Sequence, residues 1–246
     1  MINECGQRIK VLSSMLDLNM EMGVVQMLNV VQDNMCEYFG KIKCDGGHLI
    51  SEYNCFFVLT KTKIKINRSP RWLEEFDVKT ITLNVSRVAV TLLTTFADVV
   101  TGEVFVKCEQ ELCVMDNTSR KLRMINTTSF PLDMEVVGVD GKIFSKINID
   151  VTDEDLCASF DINAMNIDMY HHVNNVEYVR LALSTLEKEY LVNNRINELE
   201  IHYNSECKYG ERLSVFKRLS GDEMYFENKT ADRVCVRLRM KCVGVE

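Results

Sequence analysis

No apolar run in the 246-residue sequence approaches the roughly 20 residues a membrane-crossing helix requires, so no membrane insertion is expected. The opening MINECGQRIK has no apolar h-region, and no secretory signal is expected there. Positive charge is in deficit: 29 Lys and Arg face 36 Asp and Glu, a net charge of −7, which excludes nucleic acid as the main partner. No C-x-x-C occurs, although there are 10 cysteines, spread singly from Cys5 to Cys242. That spacing argues against a zinc site or a thioredoxin-type motif, and no metal is expected. A disulfide framework suits small secreted chains, so the expectation is a reducing cytoplasm with most cysteines packed as small apolar side chains. Only two prolines occur. Pro131 lies in INTTSFPLDMEVVGVDGKIF, which has no sustained periodicity. A linker is placed there, at 128–145, between domains at 1–127 and 146–246.

What remains is two halves with one plan. In the first half, Val24, Leu28, Val31, Met35 and Tyr38 recur at helical spacing, with Gly40 as the expected stop. Strand-like runs follow: NCFFVLTKTKIKIN, FDVKTITLNVSRVA, VTLLTTFADVV and EVFVKCEQELCVMD. Lys61, Lys63 and Lys65 alternate with Thr62, Ile64 and Ile66 at a period of two. In the second half, Val176, Val179, Leu183, Leu186 and Tyr190 predict a helix from Asn175 to Leu191. NELEIHYNSECK, ERLSVFKRLS, EMYFENKTA and RVCVRLRMKCVG follow as strands, with turns at Tyr209-Gly210 and Ser220-Gly221-Asp222. One apolar helix followed by hairpin-connected strands, twice over, predicts an α+β fold with an antiparallel sheet curled around each helix.

The densest polar cluster is NIDMYHHVNNVEYVR, where two of the four histidines stand side by side at a helix start. DMYHHVNNVEY resembles the D-x-N-x-H-V-N-N-x-x-Y motif of acyl-ACP thioesterases. LEIHYNSECKYGE, Leu199 to Glu211, resembles that family's second motif, in which an adjacent Glu-Cys pair ends a strand. FFVLTKTKIKINRSPRWLEEFDVKTI and TGEVFVKCEQELCVMDNTSRKLRMI are similar to its tryptophan-containing strand pair and the strand that closes its first domain. The resemblance implies two tandem hotdog domains, each a long helix wrapped by a curved antiparallel sheet, with the catalytic residues in the second. It implies hydrolysis of the thioester between a fatty acyl chain and acyl carrier protein, in fatty acid biosynthesis, without metal or organic cofactor. Family residues carry over at Asp168, His172, Glu206 and Cys207. Tyr170 stands where the plant enzymes have Asn.

Thioester hydrolysis needs a base or nucleophile, donors for the carbonyl oxygen, and an apolar slot. Asp168 is the candidate base or nucleophile, and His172 can polarise the carbonyl, orient the acid or move a proton. Asn174 has N-cap spacing, with Glu177 three residues on as in a capping box. Free N–H groups at the helix start are ready donors to an oxyanion. Tyr170, Asn174 and Asn175 are the substrate-binding candidates, the two Asn also as turn and cap residues. Glu206 and Cys207, if on one strand, face opposite sides, so only one enters the site. The adjacent Glu206 is expected to raise the Cys207 thiol by like-charge repulsion, favouring attack by water over attack by thiolate. The first half offers NMEMGVVQMLN at the matching place, methionines standing in for the His and Tyr and shaping an acyl slot.

Acyl carrier protein is the expected macromolecular partner, with Lys61, Lys63, Lys65, Arg68 and Arg71 either its docking patch or a solvated face. A monomer with an internal pseudo-dimer, or a homodimer, fits the duplicated plan. The alternatives are an acyl-CoA thioesterase of the same fold, a hotdog dehydratase using His172 and Glu206, and a non-catalytic acyl-thioester binding protein.

Overall fold

The structure is a computed structural model that describes residues 4–134, 136–138 and 141–245. Two compact units divide the chain, Met1–Ile143 and Phe144–Glu246. The opening residues Met1 to Asn3, and Glu135, Val139 and Asp140 of the expected linker, lie outside the described residues.

The first unit contains β1 (Glu4–Lys10), α1 (Val24–Lys41), α2 (Gly46–Tyr53), β2 (Cys55–Ile66), β3 (Glu75–Val85), β4 (Ala89–Asp98) and β5 (Val104–Asp116). Its strands are ordered β1-β3-β4-β5-β2, and every neighbouring pair is antiparallel. The period of two holds on β2: Thr62, Ile64 and Ile66 are buried while Lys65 is exposed and Lys61 and Lys63 are half-buried. α1 buries Leu28, Val31, Met35 and Tyr38 of the predicted stripe; Val24, at the first turn, is only half-buried, and Met27 is buried in addition. Each such side chain contributes about 1.5–3 kcal/mol of burial. Two polar side chains fix the helix on the sheet: Asn34 Nδ2 donates to Thr80 Oγ1 at 2.6 Å, and the Tyr38 hydroxyl lies 2.7 Å from Thr82 Oγ1.

Gly40 does not stop α1, which continues to Lys41. The left-handed residue that ends it is Lys43, at φ 57°, beyond which Cys44 N–H closes back on Phe39 O at 2.7 Å. α2 has no counterpart in the sequence reading. Two glycines open it, and its start rests on Asp45, whose side chain accepts the His48 N–H.

The second unit contains β6 (Leu156–Asp161), α3 (Asn175–Leu183), α4 (Lys188–Asn193), β7 (Asn194–Tyr203), β8 (Arg212–Ser220), β9 (Glu223–Lys229) and β10 (Val234–Gly244). Its order, β7-β10-β9-β8-β6, is again antiparallel throughout. The helix expected over Asn175 to Leu191 breaks at Leu183 and resumes at Lys188. Ser184 Oγ and Thr185 Oγ1 donate back to Leu181 O and Ala182 O at 2.8 and 2.7 Å, competing with the helix ladder.

The duplication extends to individual backbone bonds. Val11 N–H to Glu74 O matches Ile162 N–H to Glu211 O, and Met22 N–H to Pro70 O matches Val173 N–H to Cys207 O. Asn67 N–H to Phe105 O matches Asn204 N–H to Cys235 O. Leu73, at φ 65°, occupies the left-handed position that Gly210 holds in the second unit at φ 81°.

Candidate active site

The site begins where β6 gives way to α3. Ile167 and Val173 bridge, closing a loop over 168–172. Asp168 N–H donates to His172 O at 2.9 Å, and His171 N–H to Asp168 O at 3.0 Å. The Asp168 side chain secures the same turn: Oδ1 accepts the Tyr170 N–H at 2.9 Å and the His172 N–H at 3.5 Å. His171 takes the left-handed conformation the turn needs, at φ 65°, and its side chain is exposed. Tyr170 is 43% exposed.

Asn174 is the N-cap of α3, its Oδ1 accepting the Val176 N–H at 2.8 Å. The capping box does not close. Glu177 Oε1 accepts from Asn166 Nδ2 at 3.0 Å, and the Asn174 N–H donates to Asn166 O instead. Asn175 is the first helical residue.

Glu206 and Cys207 do not lie on a strand. β7 ends at Tyr203, where its last pair with β10 is Val236, and the N–H groups of Asn204 and Ser205 then both turn onto Cys235 O. The pair sits in the connection to β8, and its side chains diverge. Glu206 Oε2 reaches His172 Nε2 at 3.1 Å, with both side chains about 30% exposed. Cys207 is fully buried. Its thiol is pushed far up by its hydrogen bond to Cys235, then by burial, then by Glu211. The carboxylate acting on it is therefore Glu211, in place of the adjacent Glu206. The structure thus joins His172 to Glu206 and sets Asp168 against the backbone of His172. Cys207 is turned into the core, where its thiol meets Cys235 and Glu211.

Three supporting residues escaped the sequence reading. Tyr178, on α3, accepts the Cys207 N–H on its phenol oxygen at 2.8 Å. Arg233 donates to Glu206 O through Nε and Nη2 at 3.1 and 3.0 Å, and its Nη2 also engages the Glu211 carboxylate. Asn228 Nδ2 donates to Tyr178 O at 3.0 Å. Tyr178 is the closing residue of the first motif, which was the one signal available; Arg233 and Asn228 carry none.

The first unit repeats the loop. Asp17 Oδ1 accepts the Asn19 N–H at 2.8 Å and the Glu21 N–H at 3.3 Å, Leu16 bridges Met22, and Met20 is left-handed at φ 59°. Aligned by these bonds, Asp17 matches Asp168, Asn19 matches Tyr170, Met20 matches His171 and Glu21 matches His172. Methionine thus stands in for His171 alone, and the polar positions of the loop persist. At the Glu206 place the first unit has Ser69.

Three members of the basic run on and after β2 are paired with acids. Lys61 Nζ lies 2.8 Å from Glu111, Arg68 contacts Glu74 at 2.6 Å, and Arg71 lies 3.9 Å from Glu21. Lys63 Nζ donates to Ile143 O at 3.2 Å. Among the described residues no group of three or more His, Cys, Asp or Glu is arranged to hold a metal, and no helix is long and apolar enough to cross a membrane.

Comparison with known proteins gives the family and the fold. Residues 3–129 match the acyl-ACP thioesterase N-terminal domain and residues 149–237 the acyl-ACP thioesterase C-terminal domain. An acyl-[acyl-carrier-protein] hydrolase of Cuphea viscosissima is 21% identical over 193 residues, 74% of this chain and 47% of that protein. A dodecanoyl-[acyl-carrier-protein] hydrolase of Cinnamomum camphora is 24% identical over 189 residues, 70% of this chain and 47% of that protein. The chain thus spans about half the length of these relatives. Among solved structures, an acyl-ACP thioesterase from Bacteroides thetaiotaomicron superposes with a TM-score of 0.85 at 20% identity, covering 98% of both chains. A 12:0-ACP thioesterase from Umbellularia californica gives 0.86 at 16% identity, again over 98% of each. The fold is the double hotdog that the resemblance implies.

Proposed function

The chain belongs to the acyl-ACP thioesterase family, and from that premise we propose that it hydrolyses fatty acyl-ACP thioesters, releasing the free fatty acid in fatty acid biosynthesis. The observation that carries this reading is the His172–Glu206 contact at 3.1 Å, set beside the loop that Asp168 closes. Asp168 takes a proton from water, and the resulting hydroxide adds to the thioester carbonyl. The Asn175 N–H at the start of α3, clear of the cap bonds among Asn166, Asn174, Val176 and Glu177, stabilises the oxyanion. His172, held in orientation by Glu206, supplies a proton as the C–S bond breaks, so the carrier leaves as a thiol. Water and thioester thus yield acid and thiol.

Cys207 lines the core beneath this site. A buried thiol pushed far up holds little thiolate at neutral pH, which supports the water route over covalent attack. Tyr170, whose exposure supports a role at the substrate, donates to it in this reading. Asn174 and Asn175 present the helix start. Ion pairing of Lys61, Arg68 and Arg71 supports the solvated-face reading of the basic run. A reducing, cytoplasmic setting is part of the same proposal.

The test is thiol release by the purified protein from parallel acyl-ACP and acyl-CoA series. Turnover of acyl-ACP is expected. Turnover confined to acyl-CoA, or absent from both series, refutes the reading.

A further inference from the structure

We infer that Tyr178 is a positioning residue: by accepting the Cys207 N–H, and together with Arg233 on the Glu206 carbonyl, it holds Glu206 against His172. Beyond Tyr203 the segment has left the β10 ladder, so its backbone groups need other partners. After Asn204 and Ser205, which share Cys235 O, the structure supplies three at Glu206 and Cys207. Val173 N–H donates to Cys207 O at 3.1 Å, the Tyr178 phenol takes the Cys207 N–H at 2.8 Å, and Arg233 donates twice to Glu206 O. Tyr178 is 2% exposed and is itself fixed by Asn228, whose amide donates to Tyr178 O. The segment bearing Glu206 is thus fastened at consecutive peptide groups, by Val173 next to His172, by Tyr178 on α3 and by Arg233 just before β10.

The first unit serves as an internal control. It keeps the Val173-type bond, Met22 N–H to Pro70 O at 2.8 Å. It lacks the Tyr178-type bond at both ends. Pro70 has no N–H to give, and the place of Tyr178, four residues beyond the N-cap, holds Met27. The same unit has Glu21 and Ser69 where the second has His172 and Glu206. The phenol, the N–H it accepts and the His–Glu pair are present together in one copy and absent together in the other. Arg233 follows suit: the glutamate that matches Glu211, Glu74, takes its cation from Arg68.

The kinetic part of this inference rests on the thioesterase reading; the geometric part does not, and the two are measured separately. For the geometry, nitrogen NMR of the His172 ring is recorded without substrate in wild type, Glu206→Gln, Tyr178→Phe and Arg233→Lys. Tyr178→Phe keeps the ring and removes only the acceptor. Its His172 Nε2 resonance should move from the wild-type position toward that of Glu206→Gln. An Nε2 resonance that stays at the wild-type position, in a protein whose melting shows it folded, overturns the inference. If Tyr178→Phe does not fold, Arg233→Lys carries the same test, since it keeps a charge for Glu211 and loses the forked donation to Glu206 O.

For the kinetics, kcat should fall about 10- to 100-fold in Tyr178→Phe while KM moves less than about threefold. In the Glu206→Gln background the same change should cost little more, because both act through one contact. Fully additive losses overturn the inference. A wild type that hydrolyses no acyl thioester, with the Nε2 resonance still moving as expected, refutes the functional reading and leaves the positioning role intact.

Discussion

Asp168→Asn separates two tasks that one carboxylate performs. The structural task is to accept the Tyr170 N–H at 2.9 Å and the His172 N–H at 3.5 Å, both on Oδ1. Asparagine retains that atom, so the turn keeps its acceptor and loses only the charge assistance. For one good bond and one marginal bond at a half-buried site this costs about 1 kcal/mol. In a protein of this size that lowers the melting temperature by about 2–4 °C. The chemical task is to take a proton from water, and losing a general base lowers kcat by about 10²–10⁴. That is about 3–5 kcal/mol of barrier, well beyond the stability effect. Asp168→Ala removes both tasks, so turnover is lost and melting falls further. Asp17, with the same two bonds in the first unit, calibrates the structural part. Asp17→Asn should lower melting by a similar few degrees and leave turnover within about twofold. The assay is thiol release from acyl-ACP alongside thermal melting of each variant. Turnover of Asp168→Asn within about threefold of wild type would refute the assignment of Asp168 as base or nucleophile.

Cys207→Ala should keep a measurable fraction of turnover, with no acyl-cysteine adduct after rapid quenching. A mass-spectrometric adduct that forms and decays at the turnover rate would make Cys207 the nucleophile. Reversing Lys61 and Lys63 to Glu should lower acyl-ACP and acyl-pantetheine turnover alike, because Lys61 is already paired with Glu111; a loss confined to the carrier substrate would restore a docking role. Arg233 holds the Glu211 carboxyl below its ordinary range, and Thr152 N–H with Arg218 does the same for Asp155. Both contributions are present above the ordinary carboxylate range, about pH 4, and are lost as pH falls through the lowered folded values. Melting should therefore fall below about pH 4, and Arg233→Gln should flatten that dependence; an unchanged slope in the variant would exclude the Arg233–Glu211 pair as a source.

The strands and most of each helix face were legible because burial imposes periods of two and 3.6, and those periods survive in Lys61 to Ile66 and in Leu28 to Tyr38. Helix ends were less so. Gly40 looked like a stop, but the left-handed turn falls on Lys43. The break after Leu183 depends on hydroxyls whose alternative bonds no periodicity records. Glu206 and Cys207 were recognised as a pair yet placed on a strand, because the point where β7 leaves β10 is set by a carbonyl on another strand, Cys235 O. The duplicated Asp17 loop was missed for a different reason. Side-chain types changed around it while the turn was kept by one aspartate and one left-handed residue, and matching by residue type follows the former. Tyr178 lay inside the recognised motif, but its task depends on an N–H 29 residues away.

The strand order governs the tempo of folding. In the first unit β1 pairs not with the next strand made but with β3, Cys5 facing Thr80, and β2 joins its neighbour β5 only when Cys55 meets Asp116. The second unit repeats the delay, Leu156 facing Phe216. The β3-β4-β5 and β8-β9-β10 hairpins can zip locally, but neither unit can close that way; long loops must form before the remaining pairings reward them. Folding on the millisecond-to-second scale of strand-rich domains follows, with the first unit able to complete before the second has left the ribosome. During that interval β2 is a long, apolar-faced strand without its β5 neighbour, the kind of segment that seeds aggregation. The alternating lysines at 61, 63 and 65 give it a charged face for the wait, acting as gatekeepers on a nascent chain.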